Sequence, residues 1–169
     1  MVNWSERGHV LVTRDDRVVY CRVVGQGNMN NCASFRQYSH DMRRRGLRKF
    51  ILDFSDCDAL DSTFLGVLVH IALGDGEPAD VVVVNPRDSI LKTFGEIGID
   101  RLLRIHSGET TLPDVPLAKL DPIEETDLEH AEMMLDAHET LCEADPANLE
   151  RFGAFLRMLK VELEGKNDS

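Results

Sequence analysis

The sequence predicts an α/β protein, a small mixed sheet flanked by helices and followed by a C-terminal helical hairpin. Three observations lead to this fold class. Short apolar or β-branched runs alternate with helical patterns through residues 1–110, which is typical of a partly parallel sheet with helices on its faces. A buried strand, an acidic turn and an apolar helix follow one another from Phe50 to Leu73. Two amphipathic helical stripes then occupy residues 121–165.

Composition separates the chain into an α/β domain at residues 1–110, a linker at 111–120 and an acidic helical hairpin at 121–165. The first part holds 15 acidic and 14 basic residues, whereas residues 111–169 hold 15 acidic and 5 basic residues. The net charge of −11 therefore lies almost wholly in the C-terminal part. Because a strongly acidic surface repels nucleic acid and anionic membranes at long range, we expect neither as a partner.

The sequence also carries signals about the compartment. No apolar run approaches the ~18 residues of a membrane span, and the first 30 residues show no basic-then-apolar leader. The four cysteines are scattered without a CxxC pair, a pattern that favours reduced thiols over disulfides or a zinc site. We therefore expect a cytoplasmic protein that holds no metal or other cofactor.

The N-terminal part begins with a β-hairpin signal. Two short β-like runs, Val10–Thr13 and Arg17–Val24, are separated by a polar turn. The glycines at positions 25 and 27 lack the third glycine of a GxGxxG phosphate loop. A turn leading into a helix is favoured there, with nucleotide binding as the minor alternative. Asn30 or Asn31 is placed to cap that helix.

The stretch from Phe50 to Leu73 organises the rest of the domain. An apolar run interrupted by Asp53 predicts a buried strand, and the polar, acidic residues 55–61 predict a surface loop. Nearly every residue from Phe64 to Leu73 is apolar and Gly74 follows. This pattern predicts a core helix that ends at the glycine.

The first turn of this helix presents a candidate anion site. Asp61 occupies the N-cap position, and Ser62 and Thr63 follow it. We therefore expect two exposed hydroxyls at the positive end of a buried helix, where free N–H groups and the helix dipole favour a phosphate.

These residues carry a family resemblance. Asp61-Ser62-Thr63 followed by residues 65–68 (Leu-Gly-Val-Leu) resembles the phosphorylation loop and helix of STAS domains, in particular the bacterial anti-sigma factor antagonists. The family pattern there is Asp-Ser-Ser or Asp-Ser-Thr, then Gly, Leu, Gly and an aliphatic residue. This chain has Phe64 at the first glycine position, so we expect a phenyl ring on the docking surface beside the phosphosite.

The resemblance implies a function. Ser62 would be the phosphoacceptor, with Asp58, Asp61, Thr63 and Phe64 as its neighbours and docking surface. The chain would be a non-enzymatic, phosphorylation-gated binding module in a partner-switching pathway that regulates transcription. Its partners would be an anti-sigma factor kinase, which binds the unphosphorylated form, and a phosphatase, which resets the switch. Phosphate adds about 1.5 to 2 negative charges at neutral pH, and like charges in an interface release a partner.

The remaining segments complete the predicted fold. Residues 81–84 are four consecutive valines, which predict a strand covered on both faces. Asp88 or Ser89 begins a short amphipathic helix, and residues 102–106 are either a strand or a helix start. The first hairpin helix begins at Asp121-Pro122 or at Thr126, and the second at Asp145-Pro146. The hairpin must bury its stripes on the first domain, on a second copy or on a partner.

Two alternatives to the switch follow from the residues. The first is a constitutive STAS-like scaffold that forms a homodimer through the hairpin. The second, less favoured, is a magnesium-dependent phosphotransfer enzyme, since Asp53, Asp56, Asp58 and Asp61 cluster after one strand. A solvated acidic loop accounts for the same residues. The six histidines show no grouping in sequence that indicates a catalytic or metal site.

Overall fold

The computed structural model describes residues 8–106 and 108–168. Of the predicted α/β domain, residues 1–7 and 107 therefore lie outside the described part of the chain. Within the described residues, seven strands form one mixed sheet in the order β6-β5-β3-β2-β1-β7, and β4 also pairs with β2. The strands are β1 (Gly8–Arg14), β2 (Val18–Gly27), β3 (Lys49–Asp53), β4 (Cys57–Leu60), β5 (Asp80–Val84), β6 (Arg104–Ile105) and β7 (Ala118–Lys119).

The predicted N-terminal hairpin and the predicted alternation of strands and helices are both confirmed. β1 and β2 are antiparallel, while β3 lies parallel to both β2 and β5, and β5 lies parallel to β6. The helices are α1 (Cys32–Arg44), α2 (Ser62–Leu73), α3 (Asp88–Ile97), α4 (Asp127–Ala144) and α5 (Asn148–Asn167). The result is the α/β fold that the sequence predicts, with the C-terminal helical hairpin formed by α4 and α5.

The helix ends follow local capping chemistry. The Asp61 carboxylate accepts the N–H of Phe64 at 2.8 Å and begins α2, and Gly74 closes that helix at φ 60°. Of the two predicted starts for α4, the structure uses Thr126, which forms a reciprocal capping box with Glu129. Asn31 precedes α1 without a side-chain cap, because its side chain instead bonds the backbone at Asn28 and Gln26.

Two segments predicted to lack regular structure contain short strands, because pairing with a distant strand overrides the local sequence signal. The loop predicted at residues 55–61 contains β4. This strand pairs with the end of β2, beyond the residues of β2 that pair with β3. The predicted linker at 111–120 contains β7, which pairs with β1. Residues 102–106 divide between the end of a 3-10 turn (Asp100–Leu102) and β6. In the four-valine strand, Val82 is only half-buried, so one face of β5 is less covered.

The hairpin packs within the chain, on α2. An added Cβ at Gly66 would lie 2.3 Å from the backbone oxygen of Ala137, so the absence of a side chain there lets α2 and α4 meet backbone to backbone. The buried Asn148 side chain donates to the backbone oxygens of Leu141 and Ile97. These bonds tie the turn between α4 and α5 to the end of α3. The N-terminal half of α2 is therefore covered by α4.

Two further expectations concern the thiols and the membrane. The four cysteines are free, and three of them are buried. No helix within residues 8–106 or 108–168 combines the length and the apolarity needed to cross a bilayer.

Candidate functional site

Ser62, the predicted phosphoacceptor, is the first residue of α2 and is half-buried. Its Oγ lies 2.9 Å from Nε2 of His138, which belongs to α4. The sequence predicted a freely exposed hydroxyl, so the structure corrects that expectation: the hydroxyl is already engaged by the C-terminal hairpin. Residues 76 positions apart meet because α4 crosses the start of α2.

His138 is held in one orientation and one tautomer. Its Nδ1 lies 2.7 Å from the backbone oxygen of Met134, and a carbonyl oxygen only accepts hydrogen bonds. Nδ1 therefore carries the proton in the neutral ring, and Nε2 is left as the acceptor for the Ser62 hydroxyl. The rings of Phe152 and Phe155 from α5 meet the imidazole edge-on, with centroids at 5.1 and 4.9 Å. His138 as a whole is only 3% exposed.

The electrostatic environment favours a neutral imidazole. Burial, the largest cause, lowers the pKa of His138, while the bond to Met134 and the negative charge of Asp61 act in the opposite direction. The net shift is downward, so the ring is uncharged near neutral pH. The Asp61 carboxylate also accepts the N–H of Met29 at 2.9 Å, which fixes the loop before α1 against the start of α2.

This lowered pKa predicts a pH dependence of stability. An unfolded histidine binds its proton near pH 6.5, whereas folded His138 binds it only at lower pH. The unfolded state therefore takes up more protons as the pH falls below about 6.5, and the free energy of unfolding should decrease there. His9 has a lowered pKa as well, so the measurement is the difference between wild type and His138→Gln in urea unfolding across pH 5–8. Parallel curves for the two proteins would contradict the assignment.

Two residues predicted to form the docking surface are instead part of the core. Thr63 is 3% exposed and Phe64 is fully buried. The Phe64 ring stacks on Phe35 from α1 with the centroids 5.0 Å apart and the planes within 1°. The apolar interior outcompetes the surface for a phenyl ring, because burying it removes its apolar area from water. Only Ser62 and the flanking Asp61 remain at the accessible start of α2.

Asp58 lies on the surface but belongs to a different contact. Its carboxylate is 3.2 Å from Nη1 of Arg87, and both side chains are more than half exposed. Such an exposed ion pair contributes about 0–1 kcal/mol. Asp58 is therefore an exposed residue near the start of α3, where it pairs with Arg87. The described partner of the Ser62 hydroxyl is His138 and not Asp58.

The acidic residues around β4 serve separate structural roles. Buried Asp53 accepts hydrogen bonds from Asn85, Ser55 and Arg22. Burial raises the pKa of Asp53, but these bonds together outweigh it and the pKa is lowered. With Asp58 paired to Arg87 and Asp61 capping α2, these three carboxylates have separate partners. Among the described residues, no group of three or more acidic, histidine or cysteine side chains is arranged to hold a metal ion.

A groove of about 740 Å³ runs between α1, the C-terminal half of α2 and α4. Its α1 wall carries Arg36 and Arg43, and its α4 wall carries Glu129 and Glu132. Arg36 crosses the groove to Asp136 at 2.9 Å. The groove is a separate surface from Ser62, which does not line it.

The mixed sheet, the capped apolar helix α2 and the hydroxyl at its start define a STAS-type architecture. The family model described as "Mlab, STAS domain" matches residues 10–104, which is more than half of the chain. This protein belongs to that family of STAS domains, whose members generally act as non-enzymatic interaction modules. A search among curated proteins found no match. The helices α4 and α5, and His138 with them, lie beyond the matched residues.

His138 is the site residue that sequence reasoning did not identify. The helical stripe through Leu128, Ala131, Leu135, His138 and Leu141 placed it on the buried face of α4, but nothing in that pattern named its partner. The available signal was a single imidazole within an otherwise apolar stripe. A polar group at a core position requires a hydrogen-bond partner, and here the partner is Ser62.

Proposed function

We propose that this chain is a phosphorylation-gated protein-binding module of the anti-sigma factor antagonist type, with Ser62 as the phosphoacceptor. Its membership of the STAS family makes it a protein-interaction module of the general STAS type. The observation that carries the finer proposal is the 2.9 Å bond between Ser62 Oγ and His138 Nε2. That bond links the candidate modification site directly to the C-terminal hairpin.

The position of Ser62 supports modification without loss of the fold. The hydroxyl stands at the first position of a twelve-residue helix, where the free N–H groups and the dipole stabilise a phosphate. Once phosphorylated, Ser62 Oγ carries no proton and cannot donate the hydrogen bond that it gives to His138 Nε2. The charge of the phosphate also adds to that of Asp61. Modification therefore changes both the charge of this surface and the seating of α4 on α2.

The proposed partners are an anti-sigma factor kinase and a phosphatase in a bacterial cytoplasm. The kinase would bind the unphosphorylated chain and supply its own nucleotide and magnesium. The rim formed by Asp61, Ser62 and the adjoining end of α4 is the proposed contact surface. Because α4 already covers α2 at Gly66, a partner that contacts α2 beyond its first turn must displace the hairpin.

We expect Ser62→Asp to weaken binding of the kinase at least tenfold, which corresponds to about 1.4 kcal/mol. The added carboxylate places like charges beside Asp61 within the interface. The kinase is first captured from an extract of the source cells with the wild-type chain as bait. Its affinity for wild type and for each variant is then measured by isothermal titration calorimetry. Ser89→Asp is the matched control, because Ser89 is an exposed serine in the first turn of α3. Equal affinity of wild type and Ser62→Asp contradicts the proposal.

The same variant has a structural consequence that the sequence did not reveal. The sequence alone predicts a nearly unchanged melting curve for Ser62→Asp, because a helix N-terminus tolerates negative charge. In the structure, the new carboxylate faces the Nε2 lone pair of His138, so two acceptors meet unless the ring is protonated. Ser62→Ala, which removes the donor without adding charge, separates the loss of this bond from the effect of charge on partner binding.

The scaffold alternative rests on the outer surface of α5. Met158 and Val161 are each more than half exposed there. They lie three residues apart, on one side of the helix, and a second copy of the chain would pack through them. The inner faces of the hairpin are buried within one chain. Light scattering of wild type and of a Met158→Glu/Val161→Glu double variant tests this alternative, which requires a dimer mass that the double variant loses.

A further inference from the structure

We propose that His138 is the general base for Ser62, so that this chain itself supplies the proton acceptor when Ser62 attacks a phosphoryl group. The inference deepens the proposed function, because it rests on Ser62 as a phosphoacceptor. It goes beyond that function in assigning the proton to a residue of the C-terminal hairpin.

The geometry meets the requirements of a nucleophile and its base. The Oγ–Nε2 distance of 2.9 Å lies within the range for direct proton transfer. The bond from Nδ1–H to Met134 at 2.7 Å fixes the tautomer, so Nε2 presents its lone pair to the hydroxyl. The backbone oxygen of Met134 thereby orients the base, as a third group does in other serine–histidine pairs.

The charges around the pair support the same assignment. Burial among the α5 phenyl rings keeps the imidazole neutral and therefore able to accept a proton. The charged side chain that faces the ring from α2 is Asp61, whose negative charge stabilises the imidazolium that forms. From α5 the ring meets the two uncharged phenyl groups of Phe152 and Phe155. The N-terminus of α2 stabilises the negative charge on the incoming phosphoryl oxygens.

The step is a single phosphoryl transfer from a nucleoside triphosphate held by the kinase. The Ser62 Oγ–P bond forms as the bond between the γ-phosphorus and its bridging oxygen breaks, and the nucleoside diphosphate leaves with that electron pair. The Ser62 proton passes to His138 Nε2. The resulting imidazolium lies beside the new phosphate and returns the proton to solvent, so the chain carries out one modification and no turnover.

The test uses an alkyl fluorophosphonate as the electrophile, on the full chain and without a partner. Attack by Ser62 forms an Oγ–P bond, breaks the P–F bond and releases fluoride, while His138 takes the proton. We expect an adduct on Ser62, located by peptide mass spectrometry, to form at least a hundredfold faster than any adduct on Ser89, since a positioned base contributes about 10²–10⁴-fold. Ser89 is a suitable internal control because it also lies in the first turn of a helix and is more exposed.

Two measurements separate a base from a merely structural contact. His138→Gln keeps a hydrogen-bond acceptor but cannot take a proton at neutral pH, and we expect it to slow labelling of Ser62 at least tenfold. In wild type, the labelling rate should rise with pH to a plateau once His138 is neutral, with its midpoint below about 6.5. This second measurement requires no variant and holds even if His138→Gln fails to fold.

Each outcome bears on the inference. Rapid, pH-dependent labelling of Ser62 that is lost in Ser62→Ala supports it. Labelling of Ser62 no faster than that of Ser89, or an unchanged rate in folded His138→Gln, overturns it. Neither result decides whether a kinase modifies Ser62, which the binding comparison with Ser62→Asp tests separately.

Discussion

Phe64→Ala should lower the free energy of unfolding by about 3–5 kcal/mol, the usual cost of truncating a buried phenyl ring. Phe64 is fully buried and stacks on Phe35, so the truncation leaves a cavity between α1 and α2 and removes an aromatic contact. Urea unfolding followed by circular dichroism measures the change.

The control for this prediction is Met158→Ala on the outer face of α5. Met158 is 57% exposed, and its truncation should change stability by no more than about 0.5 kcal/mol. A small effect of Phe64→Ala, similar to that of Met158→Ala, would show that the ring is not part of the core. It would then return Phe64 to the docking surface on which the sequence placed it.

The second large effect is expected at the crossing of α2 and α4. Gly66→Ala should destabilise the protein by about 1–3 kcal/mol, because the new methyl group would lie 2.3 Å from the backbone oxygen of Ala137. A backbone atom cannot move aside as a flexible side chain does, so α4 must shift away from α2. We also expect faster amide hydrogen exchange in α4, because its close packing against α2 is weakened.

Gly95→Ala is the matched control for Gly66→Ala. Gly95 also lies within a helix, α3, but an added Cβ there meets no atom within 4 Å. Alanine should therefore stabilise that position by roughly 0.5–1 kcal/mol through its better helix propensity. If both variants are stabilised, the close approach of α2 and α4 is refuted, and with it the seating of the hairpin that brings His138 to Ser62.

The two predictions concern neighbouring positions of one motif, and they explain how this chain accommodates its departure from the family pattern. Glycine at position 27, on β2, leaves room for the Phe64 ring: an added Cβ there would lie 3.1 Å from ring carbons and 2.5 Å from a methyl carbon of Leu60. The ring thus points into the core without disturbing the start of α2. Ser62 keeps the position that the resemblance assigns to it.

Much of the fold was accessible from the sequence because local patterns specify it. The four valines after Asp80, the apolar run of α2 between Asp61 and Gly74, and the hairpin turn between β1 and β2 each have their own short-range signal. Strands β4 and β7 were missed because both are short and are defined only by pairing with strands far away in the sequence. Strands of four and two residues are too short for the alternation of apolar and polar residues by which a strand is predicted from sequence.

The site shows the same division more sharply. The sequence by itself determined the α/β fold, the capped start of α2 and the position of Ser62, since caps, glycine stops and apolar periodicity act over a few residues. Only the tertiary structure decided which side chains surround that hydroxyl. It placed Phe64 in the core and His138 against Ser62, because burial and helix crossing depend on contacts between residues far apart in the chain, and no local pattern encodes which distant group a buried imidazole will meet.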